Sequence, residues 1–449
     1  MIKMKRILTI VLLTIFMSSC SKLTDVLDVT PPNNLTPDNV AKNKEGARNL
    51  LNGAYALLHN QYYYLHSEIV PSTLGGTMTR GTMPDIQYQN NALTPLVPNV
   101  NNFWVAFYKV INQTNWVIQL VNELPAGELT ELEKDQLIAE SRGLRAMAAF
   151  DALRYFGQFY DLNSSFGVII RSEAVDFTTR HIRRSTVAES YTQIVSDLDY
   201  AIEKAPDFTK AIYFSKTAAK AFKARVMLYK GDYAAAANLA DEVINEGKRT
   251  LSPTFAAVFS TGFASTETIF MRATDAVTFV ADRKKFTYPN GATLVSTWLK
   301  TFMAGDPRAA LSFNATTNRV LKVSNETFFS PTYFIRLAEM HLIKAEGLTR
   351  SDAPLAEAKL PLQAVRSRAF GTPQVSLATT KEALLNEIHA EIIKELCFEN
   401  GSDWFANIRF DKIKAIKPSV TNVNQYILPV PESETLTNNL FGPQNPGYE

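Results

Sequence analysis

Eight charged residues in the second half of the chain are the first candidates for chemistry: Arg336, Glu339, Glu346, Arg366, Arg368, Glu395, Glu399 and Arg409. Carboxylates that face each other across a cleft can act as acid and base on a substrate. A glycosidase does so with two carboxyl groups about 5 to 10 Å apart. The residues around these eight, however, are apolar at helical spacing. Their long side chains therefore lie on or beside amphipathic helices, where they are expected to pair with one another or with helix ends. The sequence has no GxSxG elbow, no HExxH zinc helix, no Walker loop and no GxGxxG turn. His59 and His66 are the closest of the five histidines, and no third ligand follows at metal spacing. Cys397, between Leu396 and Phe398, reads as a small buried apolar side chain rather than a nucleophile. These residues point to a chain that is not an enzyme, with no catalytic signature and no metal-ligand spacing.

A different chemistry is concentrated in two stretches, about 60–102 and 247–331, that are too long and irregular to be simple connectors. Both are rich in aromatic, Thr, Asn and Gly residues, among them Tyr62-Tyr63-Tyr64, Tyr88, Phe286, Tyr288 and Trp298. Aromatic faces accept the C–H surfaces of sugar rings, while Asn, Gln and Asp satisfy the hydroxyls. The alternative reading is that the large aromatics pin long loops to a core.

Helices must position these stretches. Leu50, Leu51, Ala54, Leu57 and Leu58 share one helical face, and helices are predicted over about 47–58, 103–122 and 131–156, the last closed by Gly157. Further helices are expected over 187–204, 216–230, 233–246, 332–349, 354–369 and 381–398. The turn Lys230-Gly231-Asp232-Tyr233, followed by Ala234 to Ala237 and Ala240, resembles a tetratricopeptide repeat, in which small residues let helices approach closely. Residues 339–368 repeat this two-helix shape. The fold class is therefore mainly all-α, a scaffold of helix pairs.

The amino terminus is a separate unit. Lys3, Lys5 and Arg6 precede an apolar run, Ile7 to Met17, of about eleven residues, which is too short for the roughly 20 that a membrane-spanning helix needs. The run ends in Met17-Ser18-Ser19-Cys20, similar to a lipobox, although Met stands where Leu is commoner. The expected division is a lipoprotein signal peptide at 1–19, a tether rich in Pro, Asn, Asp and Thr at 20–43, lipidated on Cys20, and one domain at 44–449. Loss of Lys3, Lys5 and Arg6 leaves 43 basic against 44 acidic residues. That balance, with no clustered excess of Lys and Arg, argues against nucleic acid as a partner.

Ordered motifs along the chain resemble one family. Leu51-Asn52-Gly53-Ala54-Tyr55 comes first, then Trp104, Tyr108, Ile111 and Asn115, then Arg142-Gly143-Leu144-Arg145-Ala146 running on to Phe150, Arg154 and Gly157. Later come Asp306-Pro307-Arg308, Ile335-Arg336-Leu337-Ala338-Glu339, Val365-Arg366-Ser367-Arg368-Ala369, Leu428-Pro429-Val430-Pro431 and Gln444-Asn445-Pro446-Gly447-Tyr448. Together they resemble the SusD/RagB nutrient-binding outer-membrane lipoproteins. Two arginines of the family pattern are replaced, by Ile393 and Asp403, so an ion-pair network there is expected to be rearranged.

The resemblance implies four tetratricopeptide-like helix pairs, with the two long stretches folded into a ligand-binding face. It also implies a lipid-anchored protein at the cell surface that captures oligosaccharide, or peptide in some members, for a SusC-like TonB-dependent barrel. It implies no cofactor. Tyr64, Tyr88, Gln89, Asn90, Tyr288 and Trp298 are the expected ligand contacts, because they lie where the family places them; Trp104 looks like scaffold. A secreted glycoside hydrolase and a pure protein-interaction scaffold are the competing readings. Turnover of a bound glycan would favour the first, and transporter binding without any glycan or peptide ligand would favour the second.

Overall fold

The computed structural model describes residues 43–82 and 86–449. Cys20 and nearly all of the expected tether lie outside the described residues. Eight helices follow one another in a continuous packed row: α1 Lys44–Leu57, α4 Pro98–Glu123, α5 Glu131–Phe156, α6 Val187–Lys204, α7 Lys216–Lys230, α8 Tyr233–Asn245, α10 Leu337–Arg350 and α11 Leu355–Phe370. Taken in order they make four pairs, the arrangement that the resemblance implies. Between them in the chain stand the shorter α2 His66–Leu74, α3 Ile86–Asn90 and α9 Thr297–Phe302, and after them come α12 Lys381–Leu396 and α13 Ser402–Arg409.

Local chemistry fixes the helix ends. Thr130 and Glu133 form a capping box that starts α5, and Thr186 and Glu189 form another that starts α6, each satisfying backbone N–H groups that a first turn leaves unpaired. Gly231 ends α7 with φ of 88°, a left-handed conformation that favours glycine. Asp232 then caps α8. The face that α8 offers is made of Ala236, Ala237 and Ala240, and α10 packs on it through Gly347. A Cβ at position 347 would fall 2.6 Å from the carbonyl oxygen of Tyr233, so the close approach of these two helices requires glycine.

The two long stretches are insertions in this row, one inside the first pair and one between α8 and α10. They are less irregular than the sequence suggests. The first carries α2, α3 and a strand, β1 Met78–Arg80; the second carries β2 Thr268–Arg272, β3 Thr293–Val295, α9 and several single helical turns. The helix expected from 332 begins only at Leu337, because Thr332–Arg336 forms a strand, β4. Its β-branched and aromatic side chains suit a sheet, and all five residues are buried in antiparallel pairing with β2. That pairing closes the second insertion at its base.

One apolar core follows the helix row from Ala47 to Val243. A second gathers α12, Leu362 and Val365 of α11, and residues from both insertions, including Tyr64, Met78, Tyr288, Val295 and Leu299. The insertions therefore share a core with the last helices instead of hanging from the scaffold as loose loops.

Candidate functional site

The charged residues of the second half form a buried network. Arg336 bonds to Glu399 at 2.6 and 2.9 Å, to Glu395 at 3.1 Å, and to Glu267. Arg308 bonds to Asp306 at 2.9 Å, Glu391 at 2.5 Å and Glu395 at 3.0 Å. Arg368 adds a bond to Glu395, and Lys322 reaches Glu399 at 2.6 Å. At other points Arg409 grips Glu346, Arg225 grips Glu339, and Arg366 spans Glu387 and Glu391. Burial alone would raise the pKa of Glu395, but Arg368, Arg336 and Arg308 outweigh it and hold the carboxyl at about 2. A carboxylate kept ionised in this way has no proton to give to a leaving group.

The replaced family positions take other roles. Ile393 is core. Asp403, fully buried, accepts hydrogen bonds from Ser72 at 2.9 Å and from Thr77, and so ties α13 to the first insertion, while burial raises its pKa. Cys397 is buried, and burial pushes its thiol up to about 12.

A second set of contacts joins the two insertions to each other. β1 pairs antiparallel with β3, Met78 opposite Val295 and Arg80 opposite Thr293. Glu68 of α2 accepts from Lys284 and, at 2.7 Å, from the Tyr288 hydroxyl. Lys284 also donates to the Pro331 carbonyl at 2.9 Å. The Tyr64 hydroxyl accepts from the backbone N–H of Arg283 at 3.0 Å, and the Arg272 guanidinium sits 3.6 Å above the Tyr64 ring. Burial pushes the Glu68 carboxyl up to about 7 against the pull of Lys284, and burial lowers Lys284.

Along this seam lies a cavity of about 250 Å³ lined by Leu65, His66, Ile69, Val70, Thr73, Thr82, Tyr88, Asn99, Thr287 and Ala292. Its walls come from both insertions and from the first turn of α4. Two buried polar atoms on these walls, His66 Nδ1 and Thr73 Oγ1, have no hydrogen-bond partner among the described residues. Buried polar groups in folded proteins are nearly always bonded, so both atoms are suited to a ligand or to ordered water. Burial lowers the His66 pKa to about 4, which keeps its imidazole neutral, with one nitrogen free to accept.

The six expected ligand contacts divide between core and surface. Tyr64, Tyr88 and Tyr288 are 2%, 2% and 0% exposed. Tyr64 and Tyr288 are pinned through their hydroxyls and offer no ring face to a stacking sugar, so they are the anchors of the seam. Tyr88 forms a wall of the cavity. Gln89, half-buried, accepts from the Arg80 N–H at 2.8 Å and the Thr79 hydroxyl at 3.1 Å, which fixes β1 against α3; Asn90 is exposed beside it. Trp298, half-buried at the start of α9, stacks flat on Phe302 with centroids 4.9 Å apart. Trp104 is buried and donates to Glu434. The expected contacts did not include His66 or Thr73, nor Phe286, which was noted only among the aromatics of the second stretch and is 48% exposed next to the cavity residue Thr287.

The chain is similar to known proteins along most of its length. Residues 25–228 match a family model described as SusD-like, starch-binding and associating with the outer membrane, and residues 314–417 match the SusD family model. SusD-like protein P2 of Formosa agariphila is 25% identical, with 98% of this chain and 99% of that protein covered. A SusD-like protein of Bacteroides ovatus is 28% identical over 147 residues, 33% of this chain and 26% of that one. Among solved structures, a SusD superfamily protein from Bacteroides thetaiotaomicron superposes with a TM-score of 0.77 at 24% identity, covering 90% of this chain and 99% of that one. A laminarin-binding SusD-like protein superposes with a TM-score of 0.72 at 21% identity, covering 91% and 100%. Two family models placed in order along the chain, a relative aligned from end to end and the shared helical fold together show that the chain belongs to the SusD/RagB family.

Proposed function

We propose that the protein is a non-catalytic surface lipoprotein that captures an oligosaccharide on the seam of its two insertions and passes it to a SusC-like TonB-dependent transporter in the outer membrane. The observation that carries the binding reading is the cavity at the seam, where His66 Nδ1 and Thr73 Oγ1 face without partners. Hydroxyl-rich ligands supply the donors and acceptors these atoms need. At about 250 Å³ the cavity is smaller than a usual ligand pocket of about 300–1,000 Å³. It suits one sugar residue of a longer chain, whose neighbours would run over Asn90, Phe286 and Trp298. The family match and the laminarin-binding structural neighbour favour saccharide over peptide, the second reading within the same family.

Calorimetry against a glycan and peptide panel tests the proposal. We expect an oligosaccharide to bind without turnover, and Trp298→Ala to weaken it by about 1 kcal/mol, the scale of an aromatic stacking contact. Binding of peptides alone would select the second reading, and turnover would favour a hydrolase. If no glycan or peptide binds, or if Trp298→Ala and Tyr88→Ala variants fold and bind like wild type, the seam is not the site.

The anchoring part of the proposal divides the chain into a signal peptide at 1–19, a tether at 20–43 and the domain at 44–449, with Cys20 as the acylated residue. The two or three acyl chains of a bacterial lipoprotein hold it stably, where one chain holds only marginally. Cys20→Ser should therefore abolish fatty-acid labelling and move the protein out of the membrane fraction. Retention of the variant through detergent-free washes would refute this anchor.

A further inference from the structure

A second cavity, of about 530 Å³, shares no lining residue with the seam. It forms where the 205–215 connection between α6 and α7 runs beside β2, held there by a hydrogen bond from the Met271 N–H to the Ala211 carbonyl at 2.8 Å. Its walls are mainly apolar: Phe208, Ala211, Ile212, Ala264, Met271 and Ala273.

The charged groups of this cavity are unbalanced. Arg249 lies half-buried with its guanidinium 4.7 Å from the centre of the Phe208 ring. It donates to the Ser265 carbonyl, but among the described residues its Nε has no hydrogen-bond partner and the side chain makes no ion pair. Burial lowers its pKa, opposed by the pull of Glu267, with which it makes no ion pair. Lys210, exposed, is the other cation on the lining. Among the described residues Asp275 is the one carboxylate on the lining, and it is spent on its own backbone turn, accepting from the N–H and the hydroxyl of Thr278 at 2.8 Å. A half-buried guanidinium with no ion-pair partner among the described residues favours a carboxylate, which it can meet with paired N–H donors.

We propose that this cavity binds a compact carboxylate with an apolar body, its anion on Arg249 and Lys210 and its hydrocarbon or aryl part against Phe208, Ile212 and Met271. The shared chemistry fits a free short-chain or aryl acid and also the carboxy-terminal residue of a peptide. The cavity volume, within the usual range for small-ligand pockets, accommodates either.

The test is calorimetry of the full protein in detergent with hexanoate, 3-phenylpropanoate and a tripeptide ending in leucine, each beside its amide. Wild type should bind at least one acid and none of the amides. Binding of the free acids alone identifies a small-molecule ligand, and binding of the tripeptide alone identifies a peptide terminus. Arg249→Gln should weaken binding at least about tenfold, as expected for loss of a charge-assisted contact. Should Arg249→Gln fail to fold, Ala273→Leu, which fills the cavity without altering charge, must also abolish binding. Equal binding of acid and amide, no binding of any acid, or unchanged binding in folded Arg249→Gln or Ala273→Leu would overturn the proposal.

Discussion

Glu395→Gln is expected to destabilise the fold by about 3–5 kcal/mol, the range seen when one partner of a buried ion pair is removed. Glu395 is fully buried, and its carboxylate takes bonds from Arg308, Arg336 and Arg368. Glutamine keeps the volume but removes the charge, and three guanidiniums that share it would be left under-compensated in the core. The pH profile gives an independent reading. A carboxyl held at about 2 in the folded state and near its ordinary 4.5 in the unfolded chain contributes stability above pH 4.5. That contribution is lost as pH falls from 4.5 to 2. The shift corresponds to roughly 3 kcal/mol. Urea unfolding at pH 7 should show a lower midpoint with an unchanged slope. A loss under about 1 kcal/mol would mean that the cations of the network are satisfied without Glu395.

The scaffold was legible because its signals are local. Capping pairs such as Thr130 with Glu133, the Gly231–Asp232 break and the alanine face of α8 sit within a few residues of the structure they dictate. Thr332–Arg336 was misread as helix because a fully buried strand shows no alternation of polar and apolar residues, and here it runs without a break into α10. The candidate site was legible only as a region. Both insertions do meet, but Tyr64 and Tyr288 turn inward because their hydroxyl partners, Arg283 and Glu68, lie 219 and 220 residues away in the chain. No spacing rule reports such distances. His66 and Thr73 were missed for the same reason: a polar atom left without a partner is a property of the folded surroundings, not of a motif. The structural role of the charged residues was legible from their helical setting. The partners that replace the family's missing arginines, Ser72 and Thr77 on Asp403, were not.

The seam also predicts a pH signature in which two neighbours on α2 oppose each other. His66, largely buried against Tyr62 and Phe103, is held neutral down to about pH 4 by burial. In the unfolded chain it takes a proton near pH 6.5, so its contribution to stability is full above 6.5 and is lost as pH falls from 6.5 to 4. Glu68 works the other way. Burial lifts its carboxyl to about 7 despite Lys284, Tyr288 and Arg272 around it, so the folded state holds the proton more tightly than the unfolded chain. Its contribution is full below 4.5 and is lost as pH rises from 4.5 to 7. Each shift is worth up to roughly 3 kcal/mol, and in wild type the two largely cancel across the shared window. Single replacements should unmask them. Relative to wild type, His66→Phe, which retains a ring in the same packing, should gain up to roughly 3 kcal/mol as pH is lowered from 6.5 to 4. Glu68→Gln should gain a similar amount relative to wild type as pH is raised from 4.5 to 7. Urea unfolding of the three proteins at several pH values from 4 to 8 measures both differences, and the titrating groups not in contact with the replaced residue drop out of the comparison; Lys284, which loses its partner in Glu68→Gln, adds a change of the same sign because burial also lowers its pKa. Parallel curves for wild type and either variant would show that the replaced residue titrates as it does in water, and that the seam is wetter than its packing indicates.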